Sequence, residues 1–181
     1  PFDGYVETMC KVSSTCLIIH ERNRHSAPCE LVGQIVSIRV YPEQIDIVAH
    51  DALVASHPRS FARKETLFDW QHYIPLIQQK PGALRNGAPF ADMPEPLQHL
   101  RMLLLRREGG DRMMAKVLAE VPKAGLENVL VAVELVLESG VPSAEHVENM
   151  LNRLKSPPMP EAINSPLLIS EEPIADTGRY D

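Results

Sequence analysis

Gln34 to His57 reads Q-I-V-S-I-R-V-Y-P-E-Q-I-D-I-V-A-H-D-A-L-V-A-S-H, and this stretch decides the fold. Val36, Ile38 and Val40 alternate with Ser37, Arg39 and Tyr41, the period-two pattern of a half-buried strand. Pro42 and Glu43 interrupt the run, and Ile45, Ile47 and Ala49 resume it. A turn at His50-Asp51 then leads into a third strand from Leu53 to Ser56. Strands joined by such short turns are antiparallel neighbours, and their apolar face needs a cover. Upstream, Val12 to His20 suits a strand buried on much of both faces. Glu21-Arg22-Asn23 turns the chain back through Arg24 to Ala27 before Pro28 stops pairing. Hairpin and meander together predict a small five-stranded SH3-like β-barrel over residues 12–58, whose closure leaves no exposed edge. Residues 1–11 lack a clear period and read as a connector into that barrel.

Residues 59–93 read as a basic linker followed by a short helix and a loop. Asp69 caps the helix, Pro81-Gly82 ends it, and Trp70 and Tyr73 dock it on a neighbour. Residues 94–155 read as an all-α bundle. Leu97, Leu100, Leu103 and Leu104 recur at helical spacing, as do Met113, Met114, Val117, Leu118 and Val121. Leu126 to Ser139 is apolar almost all round and reads as the central helix. Ser143 caps a last one with Val147, Met150, Leu151 and Leu154 inward. Residues 156–181 are rich in proline and acidic, which predicts a disordered tail with one apolar island at Leu167-Leu168-Ile169. The fold class expected is thus α+β and multidomain: barrel, helical bundle, tail.

At 181 residues and 44% hydrophobic, the chain can bury a substantial core. No apolar run approaches the ~20 residues of a membrane span, and no basic leader precedes an apolar block, so no membrane partner and a cytoplasmic location are expected. The first residue is Pro1 rather than Met, which suits a chain shortened at its front. Cys10, Cys16 and Cys29 lack the pairwise spacing of a zinc site, and Cys16 reads as a small core residue in a reducing compartment. Phosphate-loop, dinucleotide, zincin and nucleophile-elbow motifs are all missing. Asp46, Asp51 and Asp69 carry no mark of paired metal-binding carboxylates. No cofactor and no enzyme activity are expected of these residues.

The net charge of −6 opposes nucleic-acid binding, but its distribution is uneven. Residues 59–116 carry ten basic and six acidic side chains, leaving +4, whereas the flanking regions are all acidic. Arg101, Arg106, Arg107, Arg112 and Lys116 are the densest part, read either as a phosphate-binding surface or as an ordinary solvated helix face.

Several stretches carry a resemblance: P-F-D-G-Y-V-E, V-S-S-T-C-L-I-I-H-E-R-N-R-H-S-A-P, G-Q-I-V-S-I-R-V-Y-P-E, D-W-Q-H-Y-I-P-L-I-Q-Q-K-P-G-A-L-R-N-G-A-P-F and L-V-A-V-E-L-V-L-E-S-G. Together they resemble the C-terminal part of an IstA-type insertion-sequence transposase. That family lies within the DDE, retroviral-integrase-like superfamily and is usually encoded beside an AAA+ helper ATPase of the IstB type. The resemblance implies a DNA-binding region and a metal-dependent RNase H-like core upstream, then a small barrel and helices. It supplies no catalytic residue here, and Mg is implied only for the upstream core. The family pattern has an aromatic and a Val where this chain has His25 and Ala27. The expected role is non-catalytic: contact with double-stranded transposon-end or target DNA, and assembly with other transposase subunits. Arg22, Arg24 and Arg39 on the barrel, with Arg59, Arg63 and Lys64 on the linker, are the expected phosphate contacts. The rival expectation is a protein-interaction module that recruits the helper ATPase or other subunits without touching DNA.

Overall fold

The computed structural model describes residues 4–156. The expected tail, with its Leu167-Leu168-Ile169 island, lies outside the described residues apart from Ser156. The chain begins with β1 (Val6–Lys11), β2 (Leu17–His20) and β3 (Asn23–Ser26), followed by β4 (Ile35–Val40), β5 (Gln44–Ala49), β6 (Ala52–Pro58) and the two-residue β7 (Thr66–Leu67). Then come α1 (Ile74–Gln79), α2 (Glu95–Leu105), α3 (Gly110–Ala119), α4 (Val121–Ala124), α5 (Leu126–Glu138) and α6 (Ala144–Lys155).

The meander forms as its alternation predicts, with β4, β5 and β6 antiparallel, and β5–β6 shifted by a bulge at Ile47/Val48. The closed five-stranded barrel does not form. The strands make one four-stranded sheet of order β1-β4-β5-β6 and one three-stranded sheet of order β2-β3-β7, so the described residues keep four strand edges. Three local events prevent closure. The expected connector supplies β1, which pairs from Val6↔Val40 to Lys11↔Ile35 and occupies the free side of β4. The expected strand Val12 to His20 is broken by a turn in which the Cys16 N–H donates to the Ser13 carbonyl, so only Leu17–His20 extends. The β2–β3 hairpin then takes the parallel β7 as its neighbour rather than an edge of the meander. Ile18, Ala27, Val36, Ile38, Ile45 and Ile47 nevertheless share one buried cluster, so the two small sheets face each other across a common core.

The helices do not follow as a separate bundle. Leu97, Leu100 and Leu104 of α2, Met114 and Leu118 of α3, Val129 and Val133 of α5 and Val147 of α6 form one core. The same core takes in Trp70, Tyr73, Ile77, Leu84 and Phe90 from the region expected to be linker and loop, and Cys16 from the β region. Burial of these aromatic side chains welds that region to the helices. α5 is not central all round, because Val131 is 44% exposed and Leu135 40%. Of the caps read from sequence, Asp69 and Ser143 hold: Asp69 Oδ1 accepts from the Gln71 N–H at 3.0 Å, and Ser143 Oγ from that of His146 at 3.2 Å. The cysteines depart from expectation, since Cys16 and Cys29 form a disulfide across a separation of 13 residues, leaving Cys10 free. No helix among the described residues is long and apolar enough to cross a membrane.

Candidate nucleic-acid interface

The β2–β3 hairpin turns on Glu21 and Arg22, whose φ values of 47° and 69° are both left-handed. Two such residues in succession match the twist of the flanking strands, as in a type I′ turn, but neither is Gly or Asn. A side chain held in this conformation costs about 1–2 kcal/mol. Lys64 is also left-handed, with φ 65°. The two places meet through the backbone: the Lys64 N–H donates to the Arg22 carbonyl at 3.2 Å, and the Arg24 N–H to the Glu65 carbonyl at 2.8 Å. From there β3 and β7 run parallel, with Arg24 opposite Thr66. Hairpin turn and 60–65 loop therefore form one edge.

The six expected phosphate contacts divide by their partners. Arg22, Arg24, Arg63 and Lys64 are exposed, and among the described residues no side-chain hydrogen bond or ion pair engages them. Arg59 is committed internally. Its Nη2 lies 3.1 Å from Glu21 Oε1, its Nη1 donates to the Tyr41 carbonyl at 3.2 Å, and its guanidinium sits 5.0 Å from the Phe61 ring centroid. Arg39 lies apart on β4, with Nε 3.5 Å from Glu7 Oε1, its guanidinium over the Tyr5 ring and Asp46 as its cross-strand neighbour. The structure thus brings four of the six together and separates Arg39. Glu21 is neutralised by Arg59, and Glu65 accepts from Ser60 Oγ at 2.5 Å. Among residues 21–24 and 59–65, five cations against two carboxylates leave +3.

The downstream basic cluster is partly structural. Arg101 donates through Nε and Nη2 to the Leu84 carbonyl, at 3.1 and 2.6 Å, and lies over Phe90, while Arg107 donates to the Pro142 carbonyl at 3.0 Å. Arg106, Arg112 and Lys116 remain exposed.

Behind the basic edge lies a cluster of imidazoles that joins the two sheets to the Trp70–Tyr73 turn. The ring centroids of His25 and His57 are 5.4 Å apart, and those of His57 and His72 5.9 Å. His57 Nε2 donates to the Ser26 carbonyl at 2.6 Å, and Ser26 Oγ is bonded to His72 Nδ1 at 2.9 Å. His72 Nε2 in turn lies 3.7 Å from Asp69 Oδ2. Ser26, His72 and Asp69 have the residue types of a nucleophilic triad, but Ser26 is 0% exposed and its hydroxyl oxygen accepts the Asp69 N–H at 2.7 Å. The trio is a packed joint, without access for a substrate. Burial pushes the His25 pKa down to about 4, with the neighbouring His57 and His20 acting in the same direction. Burial likewise lowers those of His57 and His72. Among the described residues no group of three or more His, Cys, Asp or Glu is placed to hold a metal ion. A cleft of about 600 Å³ opens nearby between Ile19, Phe68, Tyr73 and Phe90, with Arg24 on its rim. Its walls are mainly apolar, and the Ser13–Thr15 turn lines it with hydroxyl side chains.

Two residues that build this edge escape a reading by residue type. Asn23 reads only as a turn residue, yet it is 2% exposed and bonded to the 60–65 loop. Glu65 is exposed and also closes that loop, accepting from Ser60 Oγ. A polar residue with strong turn preference at a strand start was the available signal for Asn23.

These features define a small β unit with a cationic hairpin edge, built onto helices. Residues 1–69 match the family described as the Mu transposase, C-terminal domain. The chain is 46% identical, over 99% of its length, to the transposase for insertion sequences IS1326/IS1353 of Pseudomonas aeruginosa and to that of Shigella flexneri. It is 43% identical over its full length to a transposase of Aminobacter aminovorans. The chain is thus similar to one stretch of these insertion-sequence transposases, and it spans 37% of the length of each of the three proteins. No solved structure matches it.

Proposed function

We propose that this part of a transposase binds double-stranded DNA non-catalytically, through phosphate contacts from Arg22, Arg24, Arg63 and Lys64. The observation that carries the reading is that four exposed cations without internal partners stand on two segments tied together by backbone hydrogen bonds. A polyanion answers that arrangement, because it relieves the mutual repulsion and releases its own counterions. Such contacts set position and orientation on the duplex rather than sequence preference. Arg59, held by Glu21 and Tyr41, frames the edge, and Arg39 with its acidic neighbours contributes less. The transposase relatives make transposon-end or target DNA the natural duplex.

Assembly with other transposase subunits falls to the helices in this reading. Val131 and Leu135 stand four apart on α5 and are 44% and 40% exposed, an apolar pair facing outward. The helper ATPase rests on the family resemblance alone.

The test is the affinity for a short labelled duplex, measured by fluorescence anisotropy over a series of salt concentrations. Each phosphate contact adds about 0.9 to the slope of log K against log salt. Replacing the four cations by Ala should flatten that slope by about 3 to 4. An unchanged slope would remove this edge from the DNA contact.

A further inference from the structure

We infer that Asn23 is the positioning residue of this interface. Its buried carboxamide holds the 60–65 loop against the hairpin turn, so that Arg63 and Lys64 share one surface with Arg22 and Arg24. The inference rests on the proposed DNA contact and adds the residue that assembles it.

Asn23 Nδ2 donates to the Ser60 carbonyl at 3.1 Å and to the Ala62 carbonyl at 2.9 Å. Its Oδ1 accepts the Glu65 N–H at 3.1 Å. Both amide protons and the amide oxygen are thereby used, and all three bonds end on the backbone of one loop. The residue is 2% exposed, so solvent offers no replacement if the bonds are broken. The loop closes on itself as well, through Ser60 Oγ to Glu65 Oε2 and the Ala62 N–H to Ser60 Oγ.

The cations themselves oppose this arrangement. Arg22 and Lys64 both occupy left-handed backbone, at φ 69° and 65°, where side chains are disfavoured. Four like charges on adjoining segments repel one another, and no carboxylate among the described residues pairs with them. Something buried must hold the two segments together against strain and repulsion. Beyond the two backbone bonds from Lys64 and Arg24 and the partly exposed Arg59–Glu21 pair, the buried Asn23 is in place to do so. Strain retained beside a cluster of unpaired charges is what a binding surface asks of its scaffold.

The experiment is a double-mutant cycle on the full chain, read as salt slope. The double variant Arg63→Ala with Lys64→Ala should flatten the slope by about 2. Asn23→Ala should flatten it by a similar amount with every cation retained, and adding Asn23→Ala to the double variant should change nothing further. Amide hydrogen exchange should speed up across residues 60–65 in Asn23→Ala, with the rest of the protection pattern kept. Additive losses, or an unchanged slope in Asn23→Ala, would overturn the positioning role while leaving the DNA contact in place. A wild-type chain without salt-dependent binding, and equally insensitive to Arg22→Ala with Arg24→Ala, would overturn the DNA reading and this inference with it. If Asn23→Ala does not fold cooperatively, Asn23→Ser, which retains a shorter donor and acceptor, carries the same cycle and the same outcomes.

Discussion

His25 makes the stability of this protein depend on mild acid. The side chain is 1% exposed, and neither ring nitrogen has a hydrogen-bond partner among the described residues. Burial brings its pKa from 6.5 to about 4 in the folded chain. Because the folded value is the lower one, the unfolded chain takes up the proton first as pH falls. Stability is then complete above 6.5 and drains away between 6.5 and about 4. At 1.36 kcal/mol per pH unit the full gap corresponds to about 3 kcal/mol, of which about 2 kcal/mol is lost by pH 4.5. His57 and His72, both lowered by burial, act in the same sense. The perturbation is His25→Phe, which keeps a planar ring and removes the titrating group. Urea unfolding midpoints at constant m, taken at intervals from pH 7.5 to 4.5, give the stability profile. The wild-type chain should lose stability over this range, and His25→Phe should lose about 2 kcal/mol less than wild type. A variant whose profile parallels the wild type would refute the reasoning and shift the acid sensitivity to the other imidazoles.

Three further outcomes are expected. Gly110→Ala should destabilise by about 3 kcal/mol or more in thermal unfolding, since the added Cβ would stand 1.7 Å from the Leu104 carbonyl oxygen and backbone there cannot yield as a flexible side chain would. Reducing Cys16–Cys29 should lower the urea-derived stability by about 3 kcal/mol, the chain-entropy value for a loop of this separation, so equal midpoints with and without reductant would remove the cross-link from the fold. Arg22→Gly should leave the unfolding midpoint nearly unchanged, because relief at φ 69° offsets the entropy of glycine, while flattening the salt slope of DNA binding by about 1.

Much of the local structure is legible in the order of residues. The alternation of Val36, Ile38 and Val40 fixes β4 and the face it buries, since a strand's side chains have a period of two. Leu97, Leu100 and Leu104 fix the inner face of α2, and Asp69 and Ser143 fix two helix starts by satisfying free N–H groups. The candidate cations could be named from sequence as well, because residue type alone sets their charge.

The pairing of segments was decided by the tertiary structure. Val6–Lys11 has no buried apolar face and becomes a strand because β4 offers it a row of backbone partners, a condition that its own residues do not encode. The same choice of partners leaves the sheets open: β4 is taken by β1 and β3 by β7, so the hairpin does not pair with the meander to close a barrel. The joining of Cys16 to Cys29, of His25 to His57, and of Asn23 to a loop some forty residues away all follow from that folding. Side-chain type determines what a residue can bond to; only the folded backbone determines which of the possible partners comes within 3 Å of it.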